Sequence, residues 1–301
     1  MLSQYMELFL QKPSRITLSV KQAMNKLVKI ELYKIFTKPR TYIGFGAVFL
    51  IVVIIQLGFY FEGEEMLDYV IRNLKESFIF EGKLINTYTV SYIVLNSLWI
   101  HIPVLIALVT GDLIAGEANN GTFRLILTRP VSRTKLLLAK FFAGWTYTYM
   151  VIILMILMSV GMGAILFGSG DLLILKGTLN IFSAEDALWR FGLAYLYGIL
   201  SMTVVASLAF MLSAFADNSI GPIIGTVAII IGLTIISTLG FSILKPILPY
   251  LFTTYLPSWQ LFFDYELNYE KIARAVFTDL AYIGIFLAVT IYYFRKKDIL
   301  S

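Results

Sequence analysis

The sequence predicts an all-α polytopic membrane protein with six transmembrane helices. Three observations carry that prediction. Of 301 residues, 58% are hydrophobic and only 14% are charged, whereas soluble domains carry about 25% charged residues. Six apolar runs approach or exceed the roughly 20 residues needed to cross about 30 Å of hydrocarbon, and their centres hold essentially no charge. Lysine and arginine are also distributed unevenly between the segments that join the runs.

The runs extend from about Tyr42 to Phe61, Ser91 to Leu113, Leu136 to Phe167, Phe191 to Phe215, Ile220 to Leu244 and Ala275 to Phe294. The third and fourth are longer than a span requires, so they are expected to tilt or project. Sixteen of the 24 basic residues fall in residues 1–40, in the loop after the second span and in the tail from Arg295. The positive-inside rule then places both termini in the cytoplasm. The expected organisation is one transmembrane domain over 1–301 in the cell membrane. It comprises a cytoplasmic N-terminus (1–40), six spans (41–294) and a cytoplasmic tail (295–301). The net charge of +5 is then a topological signal, and nucleic acid is not an expected partner. Cysteine is absent, which excludes disulfides, thiolate metal sites and cysteine nucleophiles. The polar start, with Lys12, Pro13 and Arg15, lacks the pattern of a cleaved signal peptide, so the first span is expected to direct insertion.

The flanking segments have their own periodicities. Val20, Met24, Leu27, Val28, Leu32, Ile35 and Phe36 form one face of a basic helix, as in helices that lie in the interface plane. Pro39 is expected to break it before span one. Met66, Leu67, Val70, Ile71, Leu74 and Phe78 recur at helical spacing and predict an amphipathic helix on the outer face. Lys245–Arg274 contains Pro246, Pro249 and Pro257 among many aromatic residues. It predicts a short re-entrant or interfacial helical pair.

The stretch from Gly111 to Lys140 carries the most information. Gly121 permits backbone angles that other residues resist. Thr122 can cap a short amphipathic helix containing Phe123, Leu125 and Ile126. Pro130 stops that helix, and Ser132 can cap span three. Glu117-x-x-x-Gly121-Thr122, then Leu127, Pro130, Ser132, Arg133 and Lys140, resembles the ABC-2-type permeases, the membrane subunits of a class of ABC transporter. The resemblance extends to the leading amphipathic helix, the six spans, the proline-rich segment before span six and the basic tail. The segment between spans one and two is longer than in the most compact members.

This resemblance implies a cytoplasmic coupling helix that docks on a separate ABC ATPase subunit, present in two copies. The residues it assigns to coupling are Glu117, Gly121, Thr122, Phe123, Arg124, Leu125, Arg129, Pro130 and Arg133. Glu117 and Arg124 would meet charged groups on the ATPase, with Phe123 or Leu125 in its groove. The leading helix becomes an elbow helix, with Met24, Val28, Leu32 and Ile35 on its apolar line. The function implied is a permease subunit that couples ATP hydrolysis to substrate movement, in the direction of export.

No Gly-x-x-x-x-Gly-Lys-[Ser/Thr] phosphate loop occurs in the sequence. ATP and magnesium are therefore expected on the partner, with no cofactor or metal held by this chain and no enzymatic activity of its own. Six spans make half of a typical ABC membrane unit, which implies a second permease copy or a paralogue. A membrane enzyme would need convergent acid, base, nucleophile or metal ligands, and none stands out. A signal transmitter that moves no substrate is the remaining alternative.

Individual residues in the spans carry duller expectations. His101 is expected to be neutral and bonded to a neighbouring helix. Asp112 and Glu117 fall at the cytoplasmic end of span two, where charge costs little, and Asp279 near the outer end of span six. Gly221 and Gly225 allow close helix packing, either between copies or within one. Asn96, Ser97, Ser201, Thr203, Ser207, Thr226, Thr234 and Ser237 either line a pathway or bond between helices. Glu117→Arg is expected to leave insertion intact while uncoupling hydrolysis from transport.

Overall fold

The computed structural model describes residues 20–75, 83–121, 132–176, 178–239, 243 and 245–297. Among them, six helices are long and apolar enough to cross a membrane. Helix α1 (Val20–Phe36) precedes the spans. Its apolar line ends on Ile35, which is buried, with Leu32 packed on the same core and Met24 and Val28 half-buried. Pro39 opens α2 (Pro39–Lys75), where its fixed φ suits a helix and its missing N–H is not needed.

Helix α2 differs from expectation. The residues read as a separate amphipathic helix continue span one, as far as Lys75, in one 37-residue rod. At 1.5 Å per residue it is about 55 Å long. No proline interrupts residues 41–75, and an existing helix extends more readily than a new one nucleates. Phe78 lies outside the described residues.

Helix α3 (Thr87–Thr110) is capped by Asn86, whose side chain accepts from the backbone N–H groups of Tyr88 and Thr89. A turn at 111–114 leads to the short α4 (Ala115–Asn119). Helix α5 (Arg133–Ile156) starts under the Ser132 cap, as the sequence suggested. It passes through a π-helical stretch, Leu157–Met162, into α6 (Gly163–Leu166). Gly168, at φ +74°, follows in the left-handed conformation that often ends helices.

The next element adds one two-stranded sheet to an otherwise helical chain. Strands β1 (Leu172–Lys176) and β2 (Thr178–Phe182) pair antiparallel, with Leu172 opposite Phe182 and Ile174 opposite Asn180. Two five-residue apolar runs are too short for independent helices. As a hairpin they bury Leu172, Ile174 and Phe182 against the end of the bundle.

Helix α7 (Ala184–Phe215) follows a Ser183 cap and is the centre of the molecule. Of its most apolar window 72% is buried, against 17% for α8 (Ile220–Leu239) at the periphery. Small residues allow this: beside Gly198 the Trp99 ring sits where a Cβ would lie 3.4 Å away. Beyond α8, the chain makes a 3₁₀ turn (Leu248–Tyr250), helix α9 (Phe252–Tyr255) and a longer 3₁₀ run (Leu256–Phe263). This segment folds back along α7. Its end is held at Arg190, which donates to the carbonyls of Phe262 and Asp264 at 2.8 Å each. Leu256 lies beside Ser201. Those two anchors are about 16 Å apart along the helix. Trp259 and Phe263 are fully buried, within ring-contact distance of Tyr92. Asn268 then caps α10 (Tyr269–Lys296) by accepting from Lys271 N–H, so span six starts earlier than its apolar run implied.

Candidate functional site

The two ends of the bundle differ in chemistry. The hairpin end is tied by neutral caps and by Arg190, which also pairs with Asp186 and stacks 4.2 Å over Phe182. The opposite end, where α1 packs, gathers seven charged side chains in one cleft: Glu31, Lys34, Lys38, Arg40, Asp112, Glu117 and Lys140. Four of them close a ring of alternating charge. Lys34 meets Glu31 and Glu117, and Lys140 meets the same two acids, with all four contacts at 2.7 Å. The ring joins α1, α4 and α5. Beside it, Asp112 receives Lys38 at 2.6 Å and Arg40 at 2.8 Å, together with the Ser219 hydroxyl from the start of the fifth span.

Burial makes this cluster consequential. Lys140 is 1% exposed, Asp112 2% and Glu31 3%. An ion taken from water costs several kcal/mol unless it is paired, and here each buried ion has two opposite partners. Burial alone would lower the Lys34 pKa, but Glu31 and Glu117 hold it above the usual lysine value. Burial would raise the Glu117 pKa, but Lys140 and Lys34 outweigh it and hold the carboxyl below the usual range. Lys34 and Glu117 are thus both charged at neutral pH.

Asp112 and Glu117 are therefore not cheap surface charges. The expectation for Glu117 was an outward carboxylate awaiting a partner, whereas the structure turns it inward between Lys34 and Lys140. Gly116 makes room, since a Cβ there would collide with the Asp112 carboxylate. The start of α4 is fixed from α7, where Ser213 accepts from Ile114 and Ala115 N–H. Gly121 does take the left-handed conformation, at φ +66°, and sends the chain toward 122–131. Thr122, Phe123, Arg124, Leu125, Arg129 and Pro130, which the resemblance assigns to coupling, lie outside the described residues. Arg133, at the far side of that loop, donates to the carbonyl of Lys297 at 3.0 Å. Lys297 in turn pairs with Asp217 at 2.9 Å. Residues 122–131 are thus bracketed in the sequence by Glu117, locked to α1 and α5, and Arg133, locked to the end of α10.

Sequence reading missed Glu31 and Lys140 as a pair, although the signal was present. Glu31 falls on the stripe of Val28, Leu32 and Ile35, and Lys140 on that of Leu137, Phe141 and Gly144. A charge inside an apolar stripe must find a buried partner.

The remaining candidates settle into structural roles. His101 bonds the Ser97 carbonyl one turn back in its own helix, at 2.8 Å, and not a neighbouring helix. Thr203, Ser207, Thr226 and Ser237 each return a hydrogen bond to the carbonyl four residues earlier. Gly225 packs toward Leu212 of the same chain, while the Gly221 N–H is held by Asn218. The π-helical stretch redirects carbonyls into the bundle, where Gln56 donates to Met158 and Ser159 and Ser91 to Ser159. Among the described residues, no group of three or more His, Asp or Glu is placed to hold a metal ion.

Residues 49–300 match a family model described as "Protein of unknown function (DUF2705)". The chain belongs to that family. The match takes in spans two to six, most of span one, the segment after α4 and all of α10, but not α1, so two members of the ionic ring fall outside it. The chain is also similar to "Uncharacterized protein YhcI" of Bacillus subtilis (strain 168), with 28% identity over 120 residues. That similarity covers 37% of each chain, so it spans little more than a third of the relative's length.

Proposed function

We propose that the chain is the membrane-spanning permease subunit of an ATP-driven transporter of the ABC-2 type, energised by a separate ATPase. One observation carries the reading: the loop that would dock on the ATPase is gripped at both ends by ion pairs and hydrogen bonds to different spans. A push on residues 122–131 would pass through Glu117 to α1 and α5, and through Arg133 to α10. The ring is stiff because moving any one member apart would leave a buried ion short of a partner.

In this reading the ionic end is cytoplasmic, in keeping with its excess of basic residues. Helix α1 is the elbow, and the folded-back segment before α10 is re-entrant from the outer face. ATP and magnesium belong to the ATPase, two ATPase copies and a second permease copy or a paralogue complete the transporter, and export is the direction the family resemblance suggests. The chain itself performs no covalent chemistry.

The inward position of Glu117 changes the informative variant. Glu117→Arg would set a third cation beside Lys34 and Lys140 and damage the fold, so the uncoupling variant is Arg124→Glu. The native sequence has no cysteine, which permits clean cross-linking. A single cysteine replacing Arg124 should cross-link to the cognate ATPase in native membranes, whereas one replacing Tyr265 at the hairpin end should not. Purified complex should hydrolyse ATP faster than the ATPase alone, and Arg124→Glu should abolish the stimulation. Failure of the ATPase to copurify or cross-link would refute the assignment.

A further inference from the structure

Outside the ionic end, one acid among the described residues is buried with no cation. Asp279, expected near the outer end of span six, is ten residues into α10 and 0% exposed. Its Oδ2 lies 2.8 Å from the Tyr197 hydroxyl of α7, and its Oδ1 has no hydrogen-bond partner. The same Tyr197 hydroxyl lies 2.8 Å from the backbone carbonyl of Tyr255 in the folded-back segment. A phenol has one hydrogen to donate, yet here it faces two acceptors. The arrangement is satisfied if Asp279 carries a proton: the carboxyl donates to Tyr197, and Tyr197 donates to the Tyr255 carbonyl.

The surroundings agree. On α7 the nearest cation is Arg190, occupied by Asp186 and the carbonyls of Phe262 and Asp264. On α10, Arg274 is exposed and paired with Glu270. Arg133, Lys135 and Lys140 of α5 lie at the other end of the bundle, and α8 has no titratable residue. The folded-back segment offers the Tyr255 hydroxyl, which donates to Pro249, while the Tyr282 hydroxyl of α10 donates to Tyr250. A carboxylate here would be an uncompensated buried charge, the costly case.

We propose that Asp279 is a proton-binding site whose proton latches the folded-back segment onto α7 and α10. With the proton bound, the relay Asp279–Tyr197–Tyr255 carbonyl is complete. When the proton leaves to solvent, two acceptors compete for one hydrogen, a charge stands without a cation, and the segment is released. The ligand is the proton itself.

Infrared spectroscopy of the purified full chain in lipid nanodiscs tests this directly. The wild-type spectrum should contain a protonated carboxyl C=O band at neutral pH that is missing from Asp279→Asn. Tyr197→Phe should keep the band but move it to the higher frequency of a carboxyl that donates no hydrogen bond. As a second readout, a lone cysteine replacing buried Thr253 should react with a thiol reagent on the order of tenfold faster, relative to an exposed cysteine replacing Tyr265 that reports the thiolate's own rise with pH, once the latch opens at mildly alkaline pH, a bias of about 1.4 kcal/mol. Asp279→Asn keeps a neutral, hydrogen-bonding side chain and should remove that pH dependence. The proposal is overturned if wild type and Asp279→Asn have the same carboxyl band. It is equally overturned if that relative reactivity ignores pH with Asp279 present, or still follows pH in Asp279→Asn.

Discussion

Replacing Lys140 by Met isolates the energetics of the ionic ring. The thioether fills most of the volume but removes the cation that Glu31 and Glu117 share at 2.7 Å. Both acids keep Lys34, which is about one-third exposed and hence a weaker, more hydrated partner. Breaking a buried ion pair from one side costs about 3–5 kcal/mol. The continued presence of Lys34 argues for the lower end, about 3 kcal/mol or roughly 150-fold in the unfolding equilibrium. Chemical unfolding in mixed micelles, followed by tryptophan fluorescence and circular dichroism, measures it. Adding Glu31→Gln to Lys140→Met should recover part of the loss, because it removes the charge left short of a partner. A cost below about 1 kcal/mol, in the range of surface pairs, would show that the ring is solvated and would refute the stiffness argued for it.

Further outcomes follow from the same geometry. Gln56→Leu removes the side-chain donor to the Met158 carbonyl and one of the donors to that of Ser159, which keeps Ser91, and should cost about 1–3 kcal/mol by the same unfolding measurement. Gly121→Val forces a β-branched residue to φ +66° and should lower stability by at least about 1 kcal/mol, with a larger fractional loss of ATPase stimulation than of membrane insertion. The ring also sets a pH window. Glu117, with a folded pKa below its ordinary 4.5, contributes stability that is present above that value and lost as pH falls through the folded pKa. Lys34, raised above 10.5, contributes stability that is present below that value and lost as pH rises through the folded pKa. Thermal stability should therefore lose the ring's contribution at both extremes, and Lys34→Met should remove the alkaline limb.

Particular residues show where sequence reading succeeded. Pro39, Ser132 and Gly121 act through the backbone, by fixed φ, by an N-cap and by a left-handed turn, so their roles were legible from residue type alone. The apolar runs were equally legible, because a span must be continuously apolar over its length. Where the runs gave out, reading failed. The stretch 66–75 was taken for a new helix because amphipathic spacing looks the same in a continuing rod and in a separate one. The hairpin at 172–182 was missed because two short apolar runs reveal their pairing only when both are placed.

The amino-acid order by itself determined how many spans there are, where basic charge accumulates, and which positions turn or cap the chain. All of these depend on neighbours within a few residues, or on summed transfer free energy along one segment. Tertiary structure alone decided which charges meet. Glu31 and Lys140 are 109 residues apart, Tyr197 and Asp279 82 apart, and although Glu31 and Lys140 each interrupt an apolar stripe, nothing local says which partner each one meets. Their significance arises from burial, which raises the cost of an unpaired ion from negligible to several kcal/mol, and burial depends on how the helices pack.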